Sequence, residues 1–395
     1  MRTIGTQAIG VRTPIIREGD NLVEIVAESV LAAVDEGGIQ LADRDIIGVT
    51  EAVVARAQGN YATVDQIAAD VRAKFPSGVV GVVHPILSRN RFAMLLKGIA
   101  RGADKIILQL AYPSDEVGNH IISLDDMDDK GVNPYSDCFT EAEFRAVFGY
   151  ETKHKFTGID YIDYYKSIAD NIEIVLASDP TYILKYTSCV IAADIHSRHR
   201  TKRRLLAAGA QVVSGLDELV TSSVDGSGFN SDYGLLGSNK ASEERVKLFP
   251  RDCDSFTTAL KAYMLEKTGR TVEIMVYGDG AFKDPVGGIW ELADPVVSPS
   301  FTEGLNGQPT EIKLKYLADN DFSHLSGEEL GTAVKDAVRE KNAQNLDLMG
   351  KMVTEGTTPR RYTDLLGSLC DLISGSGDKG TPVVLIKGYF DNYAV

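Results

Sequence analysis

Two glycine-rich segments in the second half of the chain hold the residues best suited to chemistry. They span residues 233–239 and 269–280. In the second segment a β-branched run predicts a strand, and Asp279 follows that strand between two glycines. A carboxylate at the end of a buried strand suits a divalent cation that carries a nucleotide phosphate. An aspartate in a glycine-rich turn also occurs simply as a turn residue, so both interpretations stay open.

A third glycine-rich segment, residues 375–380, lies between a predicted helix and a predicted strand and reads Gly-Ser-Gly-Asp-Lys-Gly. Glycines allow backbone N–H groups to approach phosphate oxygens without a Cβ in the way. The segment lacks the spacing and the following helix of a Walker A loop. Its composition fits a phosphate-binding loop and a flexible connection equally well.

Other residue clusters point to structure rather than to a site. The histidines show no metal-binding spacing, and His84 is interpreted as a capped or core residue. The acidic run at residues 125–129 lacks the glycine and the glutamate of an EF-hand, so we predict a solvated loop. The basic run at residues 198–204 predicts a solvated helix face.

Composition excludes several classes of protein. A net charge of -15 argues against DNA or RNA as a partner, because phosphate backbones attract clustered Lys and Arg. The longest apolar run is too short to cross a bilayer, and the first residues lack a signal-peptide pattern. The four cysteines form no C-x-x-C pair and fit a reducing compartment. We therefore expect a cytoplasmic protein with no nucleic-acid and no membrane partner.

The elements that must position these residues alternate between strand and helix. Strands are predicted at residues 45–50, 79–83, 105–110 and 271–277, with helices at 22–34, 90–100 and 255–267. The strand–helix–strand order of residues 79–110 predicts a parallel pair of strands. The fold class is therefore α/β, with mixed α+β character.

Five segments of the chain together resemble the coenzyme F-420-0:L-glutamate ligase (γ-glutamyl ligase) family. They are residues 13–22, 45–59, 233–239, 269–280 and 375–388, and they occur in the family's order. The resemblance implies an amide ligase that uses GTP and Mg²⁺ or Mn²⁺. A small-molecule carboxylate is phosphorylated by GTP, and the amine of glutamate or of another amino acid attacks the acyl phosphate.

The resemblance also implies roles for individual residues. Arg56 would replace the family's lysine, and Asp279 would hold the metal; these two are the catalytic candidates. Nucleotide-binding residues carried over by position are Thr13, Pro14, Ile15, Ile16, Arg56, Asn239, Gly375, Ser376, Gly377, Asp378, Lys379 and Gly380.

The chain departs from the family pattern at the metal positions. Leu236 stands where the family has an aspartate, and Ser376 stands near an acidic or amide ligand. Asp225, Asp232, Asp378 and, further away in sequence, Glu51 are carboxylates that would compensate. The alternative function is a nucleotide- or metabolite-binding protein on the same fold, depleted of metal and without ligase activity.

The resemblance further implies a homodimer and an interrupted core. We predict that residues 1–80, 205–300 and 360–395 form a ligase-like core, with 81–204 as an inserted α/β lobe. Residues 301–359 are predicted to be a mostly helical insertion, with a long helix from Gly327.

Overall fold

The structure of the protein is a computed structural model that describes residues 3–154, 157–279, 296–344, 348, 350–354, 360–374 and 378–394. The strands are β1 Gln7–Val11, β2 Ile46–Thr50, β3 Tyr61–Thr63, β4 Val79–Val83, β5 Lys105–Leu110, β6 Phe139–Thr140, β7 Ile172–Leu176, β8 Cys189–Ala192, β9 Val212–Gly215, β10 Asn239–Ser242, β11 Arg245–Lys247, β12 Glu273–Asp279, β13 Val296–Phe301 and β14 Val383–Lys387. The α-helices are α1 Leu22–Glu36, α2 Glu51–Ala57, α3 Val64–Lys74, α4 Phe92–Gly102, α5 Leu124–Lys130, α6 Glu141–Phe148, α7 Tyr161–Lys166, α8 Arg198–Ala207, α9 Cys253–Thr268, α10 Leu314–Asp319, α11 Gly327–Gln344 and α12 Tyr362–Ser374.

A five-stranded mixed sheet joins the two ends of the chain in the order β1-β14-β2-β12-β13. Strands β2 and β12 are parallel, with Ile46 opposite Glu273 and Thr50 opposite Tyr277. The other neighbours are antiparallel. Successive residues of a strand face opposite sides of the sheet, and here both sides are apolar. Helices α1 and α9 cover one face and α12 covers the other.

A six-stranded sheet is built from the middle of the chain in the order β6-β7-β5-β4-β8-β9. All of its pairs are parallel except the one that β6 makes, so the predicted parallel pairing of β4 with β5 is confirmed. Neighbours of β4 are added first on one side and then on the other, which is the doubly wound topology. The sheet begins at residue 79 and ends at residue 215. The predicted α/β class is therefore confirmed.

Helices α3 and α4 pack closely on the six-stranded sheet, and glycine makes this approach possible. A Cβ added to Gly102 would lie 2.6 Å from the carbonyl oxygen of Ala68 and 2.9 Å from Cβ of Val71. A methyl group does not fit at these distances. Gly102 therefore fixes how near the two helices can come.

A small antiparallel sheet of β10, β11 and β3 links the early part of the chain to the first glycine-rich segment. Asn60, which is fully buried, holds the link together. Its Nδ2 donates to the carbonyl oxygens of Phe249 at 2.7 Å and Phe229 at 3.0 Å, and its Oδ1 accepts from N of Phe229. A buried amide that satisfies both of its ends in this way fixes the backbone around it.

The acidic run at residues 125–129 is helical, so the predicted loop was wrong. It forms α5, whose N-cap Ser123 accepts a hydrogen bond from N of Asp126. Gly131 ends the helix in the left-handed conformation, and Met127 is buried. Capping at both ends and one buried apolar side chain outweigh the weak helix propensity of aspartate.

The long helix predicted from Gly327 to Met352 is present as α11 as far as Gln344; residues 345–347 lie outside the described residues, and Met352 begins a separate 3₁₀ turn. Helix α10 precedes α11. In the described part of the chain, every helix is too short or too polar to cross a membrane.

Candidate active site at one edge of the five-stranded sheet

Four separate parts of the chain reach the same edge of the five-stranded sheet. Val11, at the end of β1, pairs with Val383, at the start of β14, and Val383 pairs with Val49 of β2. Thr50 pairs with Tyr277 of β12, so β2 and β12 end together. The segments that follow β1, β2 and β12 and the loop that precedes β14 therefore meet at this edge. Carboxyl ends of parallel strands are where open α/β sheets bind ligands.

Residues 13–16 and the glycine loop at residues 378–380 are neighbours at this edge. Nε of Arg12 donates to the carbonyl oxygen of Lys379 at 3.3 Å. Ile15 is 81% exposed, whereas Ile16 is buried in the core beneath it. Of the predicted nucleotide-binding residues, Thr13 is half-buried, and Pro14, Asp378, Lys379 and Gly380 are exposed. Gly375, Ser376 and Gly377 lie outside the described residues.

Glu51 and Lys247 form a buried ion pair at the same edge. Glu51 is the first residue of α2, directly after β2, and Lys247 ends β11 of the small sheet. Nζ of Lys247 lies 2.9 Å from Oε2 of Glu51, and the two side chains are 12% and 3% exposed. This pair places one positive and one negative charge where the predicted site requires charged groups.

The two glycine-rich segments meet around this ion pair and the ring of Phe249. A Cβ on Gly278 would lie 2.0 Å from Cγ of Glu51 and 3.2 Å from Cε2 of Phe249. A Cβ on Gly237 would lie 2.5 Å from Cδ2 of Phe249. Gly237 also has a φ of +70°, which side chains rarely tolerate. Both glycines are therefore needed for the close approach.

Asp279 and Asn239 sit beside the ion pair. Asp279 is the last residue of β12 and pairs with Val296, which puts its backbone at the edge next to Gly278. Asn239 is half-buried and lies directly opposite Lys247 in the pairing of β10 with β11. Residues opposite each other in an antiparallel pair project to the same side of the sheet. Asn239 is therefore a neighbour of Lys247.

Arg56 lies at the far end of α2. It is five positions after Glu51, about 7.5 Å along a helix, and its side chain is exposed. The cation that contacts the start of α2 is Lys247, which the sequence did not single out. Its contact with Glu51 depends on the pairing of β11 with β3, because Lys247 is remote from Glu51 in sequence.

Three possible substitute metal ligands are exposed, namely Asp225, Asp232 and Asp378. Leu236 is 7% exposed and packs in the apolar core beneath the six-stranded sheet. Across the described ranges, no group of three or more His, Cys, Asp or Glu residues is arranged to hold a metal ion. Asp279 therefore remains the candidate ligand at the edge.

Cys253 begins α9 near Glu51, and it is unsuited to act as a nucleophile. Burial raises the pKa of its thiol to about 12, and the carboxylates of Asp254 and Glu51 raise it further. Because the reactive form of cysteine is the thiolate, Cys253 stays protonated and inert at neutral pH.

The basic run at residues 198–204 forms part of α8, and three of its side chains form ion pairs. Arg198 pairs with Asp217, Lys202 with Glu218, and Arg204 with Asp179, each between 2.5 and 2.8 Å. His84 is buried in the same sheet, where its Nε2 lies 2.9 Å from the carbonyl oxygen of Ala177, and burial lowers its pKa. The prediction of a core histidine is confirmed for His84. The basic run lies on a helix as predicted, but Arg198, Lys202 and Arg204 are half-buried in ion pairs rather than solvated.

Comparison with known proteins finds a match to one family model. Residues 10–388 match the family model described as F420-0:Gamma-glutamyl ligase. No curated protein matches the chain. The match begins within β1 and ends just after β14, so it includes every segment that reaches the edge. The chain belongs to the F420-0:gamma-glutamyl ligase family.

Proposed function

We propose that the protein is a GTP- and divalent-metal-dependent γ-glutamyl ligase that acts through an acyl phosphate. The observation that carries the proposal is the family match over residues 10–388, whose activity is γ-glutamyl ligation. In the proposed reaction the carboxylate of a small molecule attacks the γ-phosphate of GTP and GDP leaves. The amine of glutamate or another amino acid then attacks the acyl carbon, and inorganic phosphate leaves as the amide forms.

The edge of the five-stranded sheet supports this chemistry. Residues 13–16, the glycine loop and Asn239 would line the nucleotide, with Ile15 as an exposed apolar surface. Backbone N–H groups of the glycine loop would face phosphate oxygens. Phosphoryl transfer depends on positioning and on charge neutralisation, and both are available where these segments meet.

The residues present fit a cation that is bound together with nucleotide. Mg²⁺ is usually held by one or two carboxylates and by substrate phosphates, rather than by a complete protein cage. Asp279 is the last residue of β12, directly after Gly278, whose backbone lies against Glu51. A bound Mg²⁺ or Mn²⁺ would neutralise charge on the phosphates. Asp279 would orient it.

A second function is favoured by Leu236. This residue is buried among apolar neighbours at a position where the sequence pattern of the family has an aspartate. A protein that binds nucleotide without metal and without ligase activity would have such a site.

Thermal melting distinguishes the two functions. GTP at 100 times its dissociation constant adds about 2.7 kcal/mol of stability, which raises the melting temperature measurably. The ligase predicts stabilisation by GTP that increases with Mg²⁺ or Mn²⁺. Equal stabilisation with and without the metals would favour the binding protein, and no stabilisation would contradict both.

We also propose that the protein is a cytoplasmic homodimer. Free thiols at Cys138, Cys189, Cys253 and Cys370 are consistent with a reducing compartment. Light scattering at the mass of one chain, 42.8 kDa, over a range of concentrations would contradict the dimer.

A further inference from the structure

Lys247 has more N–H donors than described acceptors, although its side chain is largely buried. A buried lysine rarely leaves donors unused. An ammonium group has three N–H donors. Nζ of Lys247 contacts one acceptor among the described residues, Oε2 of Glu51 at 2.9 Å, although the side chain is only 12% exposed. No second acceptor for this ammonium group is found in the described part of the chain.

A second buried lysine shows what a purely structural arrangement looks like. Lys387 on β14 is 10% exposed and pairs with Asp45 at 2.7 Å. It also donates to the carbonyl oxygen of Gln40. Lys387 lies at the opposite end of β14 from the glycine loop, so it is remote from the candidate site.

The surroundings of Lys247 belong to the candidate site. Asn239 is its neighbour on β10, and its partner Glu51 lies against Gly278, next to Asp279. Burial of two charges costs more than it returns unless the groups are needed, since apolar replacements of such pairs are often neutral or stabilising. A buried pair can be structural, as Lys387–Asp45 is, so the single described acceptor of Lys247 and its place at the candidate site are what point to a function.

We propose that Lys247 binds an anionic oxygen of the substrates, either a phosphate of GTP or the carboxylate that becomes phosphorylated. This inference rests on the proposed ligase function. Glu51 is a positioning residue, which holds the ammonium group at the edge and balances its charge in the unliganded protein. On binding, the spare donors of Lys247 contact the incoming oxygens while Glu51 retains its contact.

Calorimetric titration of GTP with Mn²⁺ into four variants tests the proposal. Lys247→Gln removes the charge and should weaken GTP binding about 10- to 100-fold, the range for hydrogen bonds to charged groups. Glu51→Gln keeps the ammonium and should leave affinity unchanged or tighter. The double variant E51Q/K247Q should be as weak as K247Q. Lys240→Gln, on the neighbouring strand β10, is the matched control and should bind like the original protein.

The pattern across the variants separates a functional role from a structural one. Equal losses in E51Q and K247Q with recovery in the double variant would overturn the proposal, because they show that only the pairing matters. If K247Q alone does not fold, titration of the double variant still tests the proposal, because the double variant buries no unpaired charge.

The remaining outcomes identify the ligand and the fate of the proposed function. Unchanged GTP affinity in K247Q with a raised KM for the carboxylate substrate assigns Lys247 to that carboxylate. Unchanged affinity with unchanged KM and kcat would overturn the inference and leave the ligase function standing. No GTP binding by the original protein would overturn the proposed function itself.

Discussion

At the scale of single residues, the candidate site depends on glycine as much as on charged groups. Gly278 lets the backbone of β12 touch the side chain of Glu51, where a Cβ would be 2.0 Å from Cγ. That atom lies near the backbone of Glu51, so it cannot swing aside as the tip of a long side chain does. The contact brings the end of β12 next to the Glu51–Lys247 pair.

Substitution of Gly278 by alanine should therefore disturb the site. We expect Gly278→Ala to cost about 1–3 kcal/mol of stability through overpacking and to weaken GTP binding by moving Glu51. Urea unfolding and calorimetry measure the two effects. Gly131→Ala is a control for the substitution itself, because no atom lies within 4 Å of the added Cβ, although its positive φ adds strain. Unchanged binding in Gly278→Ala would show that the contact between Gly278 and Glu51 does not position the site.

The proposed role of Asp279 in metal binding can be tested with a variant that keeps the turn. Asp279→Asn keeps size and turn-forming capacity but removes the charge, so stability should change by less than about 1 kcal/mol. Titration of GTP and Mn²⁺ should show much weaker metal-dependent binding. The same affinity in both proteins would make Asp279 a turn residue and would move the metal role to Asp225, Asp232 or Asp378.

Asp194 gives a prediction about pH. It is 1% exposed, and burial raises its pKa from 3.8 to about 6, with a further contribution from the Glu116 carboxylate. The folded protein holds this proton more tightly than the unfolded chain does. Asp194 therefore contributes stability that is complete below pH 3.8 and is lost as the pH rises to about 6.

Asp194→Asn should remove this dependence while keeping an acceptor for Oγ1 of Thr201, which now donates to Asp194 at 2.7 Å. The stability of the variant relative to the original protein should increase by up to about 3 kcal/mol between pH 4 and pH 7. Urea unfolding at several pH values measures the difference. A difference that stays flat across this range would contradict the raised pKa.

At the scale of elements, buried and exposed ion pairs between strands should contribute differently to the free energy of unfolding. The Lys387–Asp45 pair is buried and joins β14 to the residue before β2, whereas the Lys105–Glu173 pair joins β5 to β7 with side chains 44% and 61% exposed. Removing one partner of a buried pair leaves a charge uncompensated.

Lys387→Met should therefore cost about 3–5 kcal/mol of unfolding free energy. Lys105→Met, the matched control on another strand, should cost less than about 1 kcal/mol because solvent screens the exposed pair. Urea unfolding of both variants provides the comparison. Equal costs would show that the burial of the Lys387–Asp45 pair contributes nothing.

Elements whose apolar residues recur at a regular spacing were predictable from the sequence. A helix that is stabilised mainly by its capping residues was not. The predicted strand at residues 105–110 matches β5, and the predicted helix at 22–34 lies within α1. The error at α5 arose because its single buried side chain, Met127, gives no periodic signal. Its caps, Ser123 and Gly131, were the available signal.

At the scale of the whole molecule, the site exists because both ends of the chain enter one sheet. Strands β1 and β14 come from opposite termini and pair along their full length. Local patterns predicted the segments that meet at the edge, and the family resemblance supplied their roles. No local pattern could bring Lys247 to Glu51, 196 residues away in sequence, because that contact depends on the small sheet and on Asn60.

The most direct test of the account is the amount of GDP and amide product formed together. The protein is incubated with F420-0, L-glutamate, GTP and Mn²⁺, and nucleotides and products are separated and identified by mass. A GTP- and metal-dependent ligase should form equal amounts of GDP and γ-glutamyl product, with neither formed when the metal is removed by a chelator. GTP binding without GDP and without amide would contradict it and would make the protein a nucleotide-binding member of the family.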